Sequence, residues 1–363
     1  MTSLVYSLIC THIALAQAMS LSTQEPVNNH ENFVHRHVKH RRIVEVPVYN
    51  RLDKQHLEIE LIVGNTPRKF SIMPDTGSPF TWVPSASSQA CTPNCPLPVW
   101  NPNASSTAVD IHAVFNASYG LTPDIIMFGE FYNDTIGIGG VALPQLILRS
   151  SMSSTQSTMR KHGAFALFSV WLNHQNAKEG TLLFGSVDKS KAHGGLKSAP
   201  LTSVVQTPNG NDFTEWSVNL ASLTRRAGQA GSEEPLLRTT QNAILDTGSP
   251  NMYVPQYLYD ALAAPLNVTL CSSPDSLHFT FAGKDGSDGP QIRVLYSEII
   301  YLFGMPANPG EVRSEDGTEL CYLGVLSNNG SGIVLLGNTF IRSAYVVYDA
   351  DDLELRMAQS RWA

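Results

Sequence analysis

The pentapeptide Asp-Thr-Gly-Ser-Pro occurs twice in this chain, starting at Asp75 and again at Asp246, 171 residues later. Each copy ends an apolar run, in IMPDTGSPFTWVP (72–84) and in AILDTGSPNMYVP (243–255), and each leads to an aromatic residue followed by Val-Pro. Taken singly the string is a turn, because Asp, Gly, Ser and Pro are ordinary turn residues. Repeated with matched flanks, it points to two related halves, each presenting one carboxylate from one turn.

The rest of the chain fits that division. Its 363 residues leave room for two lobes of ordinary domain size. From Ile43 onward short β-type runs are broken by Gly, Pro and Asn, as in LEIELIVG (57–64), KFSIMP (69–74), TLLFGSV (181–187) and SGIVLLG (331–337). The best helical window is VPQYLYDALAAPL (254–266), just after the second acidic turn. The expectation is an all-β protein of two pseudo-symmetric β-barrel-like lobes around a central cleft, with a linker near Pro200 to Asn211.

The N-terminus reads as processing sequence. Leu4 to Ala16 is mostly apolar and Ala16-Gln17-Ala18 has the small-x-small form of a cleavage site, so residues 1–18 are expected to be a signal peptide. Residues 19–42 are polar and end in HRHVKHRR (35–42). They are read as a short propeptide closed by a dibasic site at Arg41-Arg42; the plainer alternative is a solvated basic tail. His35, His37 and His40 would charge as the pH falls below about 6.5. The N-terminal lobe then spans 43–205 and the C-terminal lobe 206–363. No other segment approaches the roughly 20 apolar residues that span a bilayer, so a secreted, extracellular product without a membrane span is expected. At a net charge of −7, with 15% charged residues, no nucleic-acid partner is expected.

Cys10 would leave with the signal, and the remaining Cys91, Cys95, Cys271 and Cys321 make an even number. In an exported chain that favours disulfides. Pairing Cys91 with Cys95 and Cys271 with Cys321 keeps one bond in each half, free or metal-binding thiols being the alternative. Asn-x-Ser/Thr sequons begin at Asn103, Asn116, Asn133, Asn267 and Asn329.

If the two halves meet face to face, Asp75 and Asp246 lie together at the floor of a cleft. Gly77 and Gly248 would let the backbones approach and take conformations closed to other residues. Thr76 and Thr247 would hydrogen-bond across to the opposite turn, and Ser78 and Ser249 would donate to the outer carboxylate oxygens. Two carboxylates at hydrogen-bonding distance share one proton, leaving one as a base for water and the other as an acid for a carbonyl oxygen. That chemistry cleaves an amide without metal, cofactor or covalent intermediate.

With those turns in view, the chain resembles a pepsin-like aspartic protease, similar to secreted fungal members, from about Ile43 to Ala358. The resemblance rests on IVGNTPRKFSIMPDTGSPFTWVPS (62–85), SYG (118–120), DTIGIGG (134–140), FSVWLN (168–173), GTLLFGSVDKSKAHGGL (180–196), AILDTGSPNMYVP, CYLGV (321–325) and VLLGNTFIRSAYVVYDADDLELRMAQ (334–359). The splitting of a carboxylate pair's pKa values is an established property of that family. The resemblance implies Asp75 and Asp246 as catalytic pair, and Tyr119 with Gly120 in a flap over the bound peptide. Trp82 would hydrogen-bond Tyr119, and Gly337 would thread behind the second turn. It further implies a monomer and, as substrate, an extended peptide or protein segment with apolar residues beside the scissile bond.

Two stretches depart from the family pattern. After Gly120 the flap continues as LTPDIIMFG (121–129), bulkier than usual and stiffened by Pro123. Between DTIGIGG and FSVWLN the segment is short, and the first-half counterpart of VLLG is approximated only by His162-Gly163-Ala164-Phe165-Ala166. The strand that should support Asp75 would then be missing or improvised. That motivates an alternative: a catalytically impaired homologue serving as a peptide- or protein-binding module.

Overall fold

The computed structural model describes residues 43–51, 56–65, 68–78, 81–85, 98–119, 125–147, 167–207, 210–228, 231–264, 273–302 and 321–362. Outside these lie residues 1–18 and 19–42, Cys91, Cys95, Gly120, Asn267, Cys271 and the short segment around His162 to Ala166. Of Tyr119 and Asn116 the backbone alone is described.

The first region carries β1 (Val44–Arg51), β2 (His56–Val63) and β3 (Lys69–Ile72), which leads to the first acidic turn. A long hairpin follows, β4 (Val109–Tyr119) and β5 (Ile125–Ile138), extended by β6 (Val141–Ile147). Then come β7 (Leu167–Trp171), β8 (Glu179–Phe184) and β9 (Ala192–Pro200). A short hairpin, β10 (Val204–Thr207) and β11 (Gly210–Phe213), occupies the stretch expected to be a linker. The second region holds β12 (Ser217–Arg226), β13 (Glu233–Pro235), β14 (Gln241–Leu245), β15 (Met252–Val254) and helix α1 (Gln256–Ala263). The helix falls inside the window expected for it, with Leu258 and Leu262, one turn apart, buried. Next are β16 (Ser276–Phe281), β17 (Gln291–Leu295), β18 (Ile300–Leu302), β19 (Cys321–Leu323), β20 (Val325–Ser327) and β21 (Val334–Leu336). A four-residue helix, α2 (Asn338–Ile341), then precedes β22 (Ala344–Asp349) and β23 (Glu354–Ser360).

Local sequence explains the individual strands. In β1 Val44, Val46 and Val48 are buried while Glu45 and Pro47 face out, the two-residue alternation of a half-buried strand. Pro47 is tolerated because β1 pairs with β8 over 44–49 but with β2 only over 49–51, so no second neighbour asks for the missing N–H. In β14 and β21, by contrast, consecutive residues are buried, and the two pair in parallel, as strands covered on both faces do.

The fold is all-β and bilobal. An eleven-stranded sheet runs β4-β5-β2-β1-β8-β7-β22-β23-β9, with β3 added on β2 and β6 on β5. An eight-stranded sheet runs β17-β16-β12-β14-β21-β15-β20, with β13 on β12. The last two strands thus complete the sheet of the first half. Where the sheets meet, Phe168 stacks on Tyr348 at 4.6 Å, and Trp216 stands edge-on to that ring at 5.2 Å. These buried rings each remove 150–250 Å² of surface from water by type, which makes this junction a main source of cohesion. Among the described residues no helix is long and apolar enough to cross a membrane.

Candidate active site

The second acidic turn stands on the interior of its sheet. The Asp246 N–H continues the β14–β21 ladder by donating to Leu336 O at 3.1 Å, and the residue is only 1% exposed. Immediately after β21, Gly337 passes so close to the turn that a Cβ there would lie 2.4 Å from Ser249 O and 2.2 Å from Asn251 O. Only glycine fits, and Asn338 N–H then donates to Ser249 O at 2.8 Å. Gly337 therefore runs behind the second turn, as its motif implies.

The first acidic turn follows β3, which pairs with β2 from Lys69 to Ile72. Asp75, Thr76 and Gly77 are half-buried, and Ser78 is buried. The counterpart of β21 that would lie beneath them falls in the undescribed stretch 148–166.

The two turns hold each other by reciprocal hydrogen bonds. Thr76 N–H donates to Thr247 Oγ1 at 3.1 Å, and Thr247 N–H donates to Thr76 Oγ1 at 3.0 Å. Each hydroxyl then donates onward to the chain before the opposite turn: Thr76 Oγ1 to Leu245 O at 2.8 Å, Thr247 Oγ1 to Pro74 O at 2.7 Å. Gly77 N–H is shared between Asp75 Oδ1 at 2.9 Å and Asp246 Oδ1 at 3.1 Å, while Gly248 N–H donates to Asp246 Oδ1 at 2.8 Å.

The glycines matter for space rather than for backbone conformation. A Cβ on Gly77 would sit 2.5 Å from the Asp246 carboxyl carbon, and one on Gly248 would sit 2.4 Å from that of Asp75. Neither glycine has a positive φ, so the expected special conformation is not used. Each turn simply leaves a vacancy that the other turn's carboxyl fills. Ser249 also differs from expectation: its hydroxyl donates to Asn251 O at 3.1 Å, stabilising its own turn instead of a carboxylate. Ser78 acts on Asp75 through its backbone N–H.

The electrostatics follow from this closeness. Burial pushes the Asp246 carboxyl well above the ordinary aspartate range, and the neighbouring Asp75 charge and their mutual hydrogen bond push the same way. Asp75 is also raised by burial, an effect opposed by its hydrogen bond with Asp246 and by the Gly77 and Ser78 amides. The pair holds a proton to a higher pH than either residue would alone.

The remaining expected residues are placed unevenly. Trp82 is 41% exposed. Tyr119 ends β4 in the long hairpin, but its bond to Trp82 lies outside the described residues, as does Gly120. Cys321 is buried at the start of β19; its expected partner Cys271, and the Cys91–Cys95 pair, are undescribed. Two residues near the carboxyls escape a sequence reading. Tyr253 occupies in the second copy the place of Trp82 in the first, and burial, with the Asp246 charge, pushes its phenol up against the hydrogen bond from Ser249. Tyr348, from β22, lies beneath Thr76 and Asp246. The first could have been found by aligning the two copies; the second carries no local signal.

Comparison with known proteins bears on this geometry. The family described as eukaryotic aspartyl protease matches residues 58–165 and 159–360. The probable aspartic-type endopeptidase OPSB of Trichophyton verrucosum is 28% identical, over 91% of this chain and 74% of its own. Secreted aspartic protease 4 of Candida albicans is 27% identical, over 87% and 79%. Aspartic proteinase yapsin-3 of Saccharomyces cerevisiae is 25% identical, over 85% and 67%.

Proposed function

The chain belongs to the eukaryotic aspartyl protease family and is an aspartic-type endopeptidase acting on peptide substrates, and we propose that Asp75 and Asp246 are its catalytic pair, working in acid on the secreted protein. The observation that carries this reading is the reciprocal hold of the two turns, which leaves each carboxyl in the vacancy of the opposite glycine.

In the mechanism we infer, a water lies against both carboxyls. The ionised member takes a proton from it as the oxygen attacks the peptide carbonyl, and the protonated member gives its proton to the carbonyl oxygen. The tetrahedral adduct then loses its amine after a proton passes to nitrogen, and the pair returns to one shared proton. The Gly77 and Gly248 amides keep the ionised oxygens oriented throughout. The hairpin of β4 and β5 with Tyr119 and Gly120, and Trp82 beside the first turn, would close over an extended peptide with apolar residues at the scissile bond. Thr76, Ser78, Thr247 and Ser249 support the pair.

Export through a signal at 1–18, removal of a propeptide at 19–42, and lobes of 43–205 and 206–363 acting as a monomer complete the proposal. The apolar run Leu4 to Ala16 and the word secreted in the name of the Candida relative support the export route. The test is cleavage of an unfolded protein by the processed chain between about pH 2 and pH 7, beside Asp75→Asn and Asp246→Asn. Acid-dependent cutting reduced about a thousandfold or more in both variants is expected. Cutting that survives either substitution would remove that aspartate from the mechanism.

A further inference from the structure

This inference rests on the reading of Asp75 and Asp246 as the reacting pair, and concerns what lies beneath them. Tyr348 is fully buried in β22, its ring stacked on Phe168 at 6° and edge-on to Trp216. The ring is thus well packed, but the hydroxyl makes no hydrogen bond among the described residues. A buried hydroxyl without a partner carries a desolvation cost, and phenylalanine would fill the same space without it. Packing alone therefore does not account for a tyrosine here.

The groups this hydroxyl faces belong to the frame of the active site. The Thr76 side chain is near enough to act on the phenol, though not in hydrogen-bond geometry, and Asp246 acts on it through charge. Asp349, the next residue of β22, is instead engaged by Arg356. Thr76 Oγ1 donates to Leu245 O and accepts from Thr247 N–H. A hydroxyl oxygen has two lone pairs, so one acceptor site on Thr76 is open. Trp216, packed on the Tyr348 ring, accepts the Leu245 amide through its carbonyl at 3.1 Å, which ties the aromatic junction to the same residue that Thr76 grips.

We propose that Tyr348 is a positioning residue whose phenol O–H donates to the open lone pair of Thr76 Oγ1 when substrate occupies the cleft, drawing the first acidic turn down onto the second. A donor into Thr76 Oγ1 polarises that hydroxyl and strengthens its bond to Leu245 O. The spacing of the turns sets the spacing of the carboxyls, and proton sharing between them depends steeply on that distance. Tyr348 touches neither substrate nor water; it acts through Thr76.

The test compares Tyr348→Phe with Phe168→Leu in the processed enzyme, with Asp246→Asn alongside. Tyr348→Phe keeps the ring, so its thermal midpoint should equal or exceed that of the wild type. Its kcat should fall about tenfold at unchanged KM, with the upper limb of the kcat–pH profile displaced. Phe168→Leu disturbs the stack and keeps the hydroxyl, so it should lower the thermal midpoint and leave that limb in place. Wild-type kcat and pH profile in Tyr348→Phe would overturn the proposal, and so would an equal displacement in Phe168→Leu, which would make packing the cause. Cleavage insensitive to Asp246→Asn would instead strike the reading of the pair itself, and this inference would fall with it.

Discussion

The two acidic turns share one pentapeptide and differ in what lies under them. The second is buried, stands on the parallel β14–β21 ladder and is backed by Gly337 at contact distance. The first is half-buried and follows β3, whose described neighbour is β2. Yet the cross-turn hydrogen bonds are nearly symmetric, 3.1 and 3.0 Å from the amides and 2.8 and 2.7 Å from the hydroxyls. Identical local sequence secures identical bonds because each turn is the other's partner. Burial and rigidity come from elsewhere in the chain. The second turn is the anvil, and the first is positioned against it.

Substituting the glycines should give the widest separation between the turns. Gly248→Ala and Gly77→Ala each drive a methyl into the opposite carboxyl, and both should abolish measurable cleavage. Overpacking at the buried second turn has no room to relax and should cost about 1–3 kcal/mol in unfolding free energy, against a smaller loss at the first turn. Equal losses by denaturant titration would show that the first turn is as firmly seated as the second.

Removing one hydroxyl is a milder probe. Thr247→Val deletes the bond to Pro74 O and leaves the Thr76 amide without its acceptor; Thr76→Val does the mirror image at Leu245 O and the Thr247 amide. Each should cost roughly 1–2 kcal/mol, and kcat should suffer more from Thr76→Val if the first turn depends on that grip for its position. Equal kinetic effects would argue that both turns are anchored alike.

The smallest expected effect is a slope in pH. The carboxyl pair titrates higher in the native state than in the unfolded chain, so its contribution is complete below the ordinary aspartate range and is lost as pH rises through the raised native value. Unfolding free energy should therefore decline towards neutral pH, and Asp246→Asn should flatten that decline. Glu58 has the opposite sign: His56, then Ser71 and Arg51, hold its carboxyl far below the usual range against the effect of burial. Its contribution is present above the ordinary glutamate value and is lost only as pH falls through the depressed one, leaving it intact where the pair works.

Much of this was legible in the sequence, for identifiable reasons. The dyad turns announced themselves by repetition, the grip by the paired threonines, and Gly337 by the apolar run before it. The β10–β11 hairpin was misread as linker although Thr207-Pro208-Asn209-Gly210 carries an Asn-Gly pair; Thr207 opposite Gly210 is the register such a two-residue connection gives. Ser249 was assigned to a carboxylate because the pattern names residues without rotamers, and in the fold its nearer acceptor is the turn's own carbonyl at Asn251. Tyr348 and the entry of β22 and β23 into the first sheet left no trace, because strand pairing across such separations is decided by complementary surfaces and not by any local signal.

That entry has a consequence for how the protein is made. Val346 to Asp349 lie against Val170 to Leu167, and Glu354 to Met357 against Pro200 to Lys197, so two interior places in the sheet of the first half are filled by residues synthesised long after it. While the ribosome is still translating the second half, β7 and β9 present open edges to the exit compartment. Such edges invite pairing with other chains until residues 344–360 arrive to close them. The nascent chain therefore has an interval of vulnerability about as long as the synthesis of its second half, and a premature stop before Ala344 would leave the first half with a split sheet.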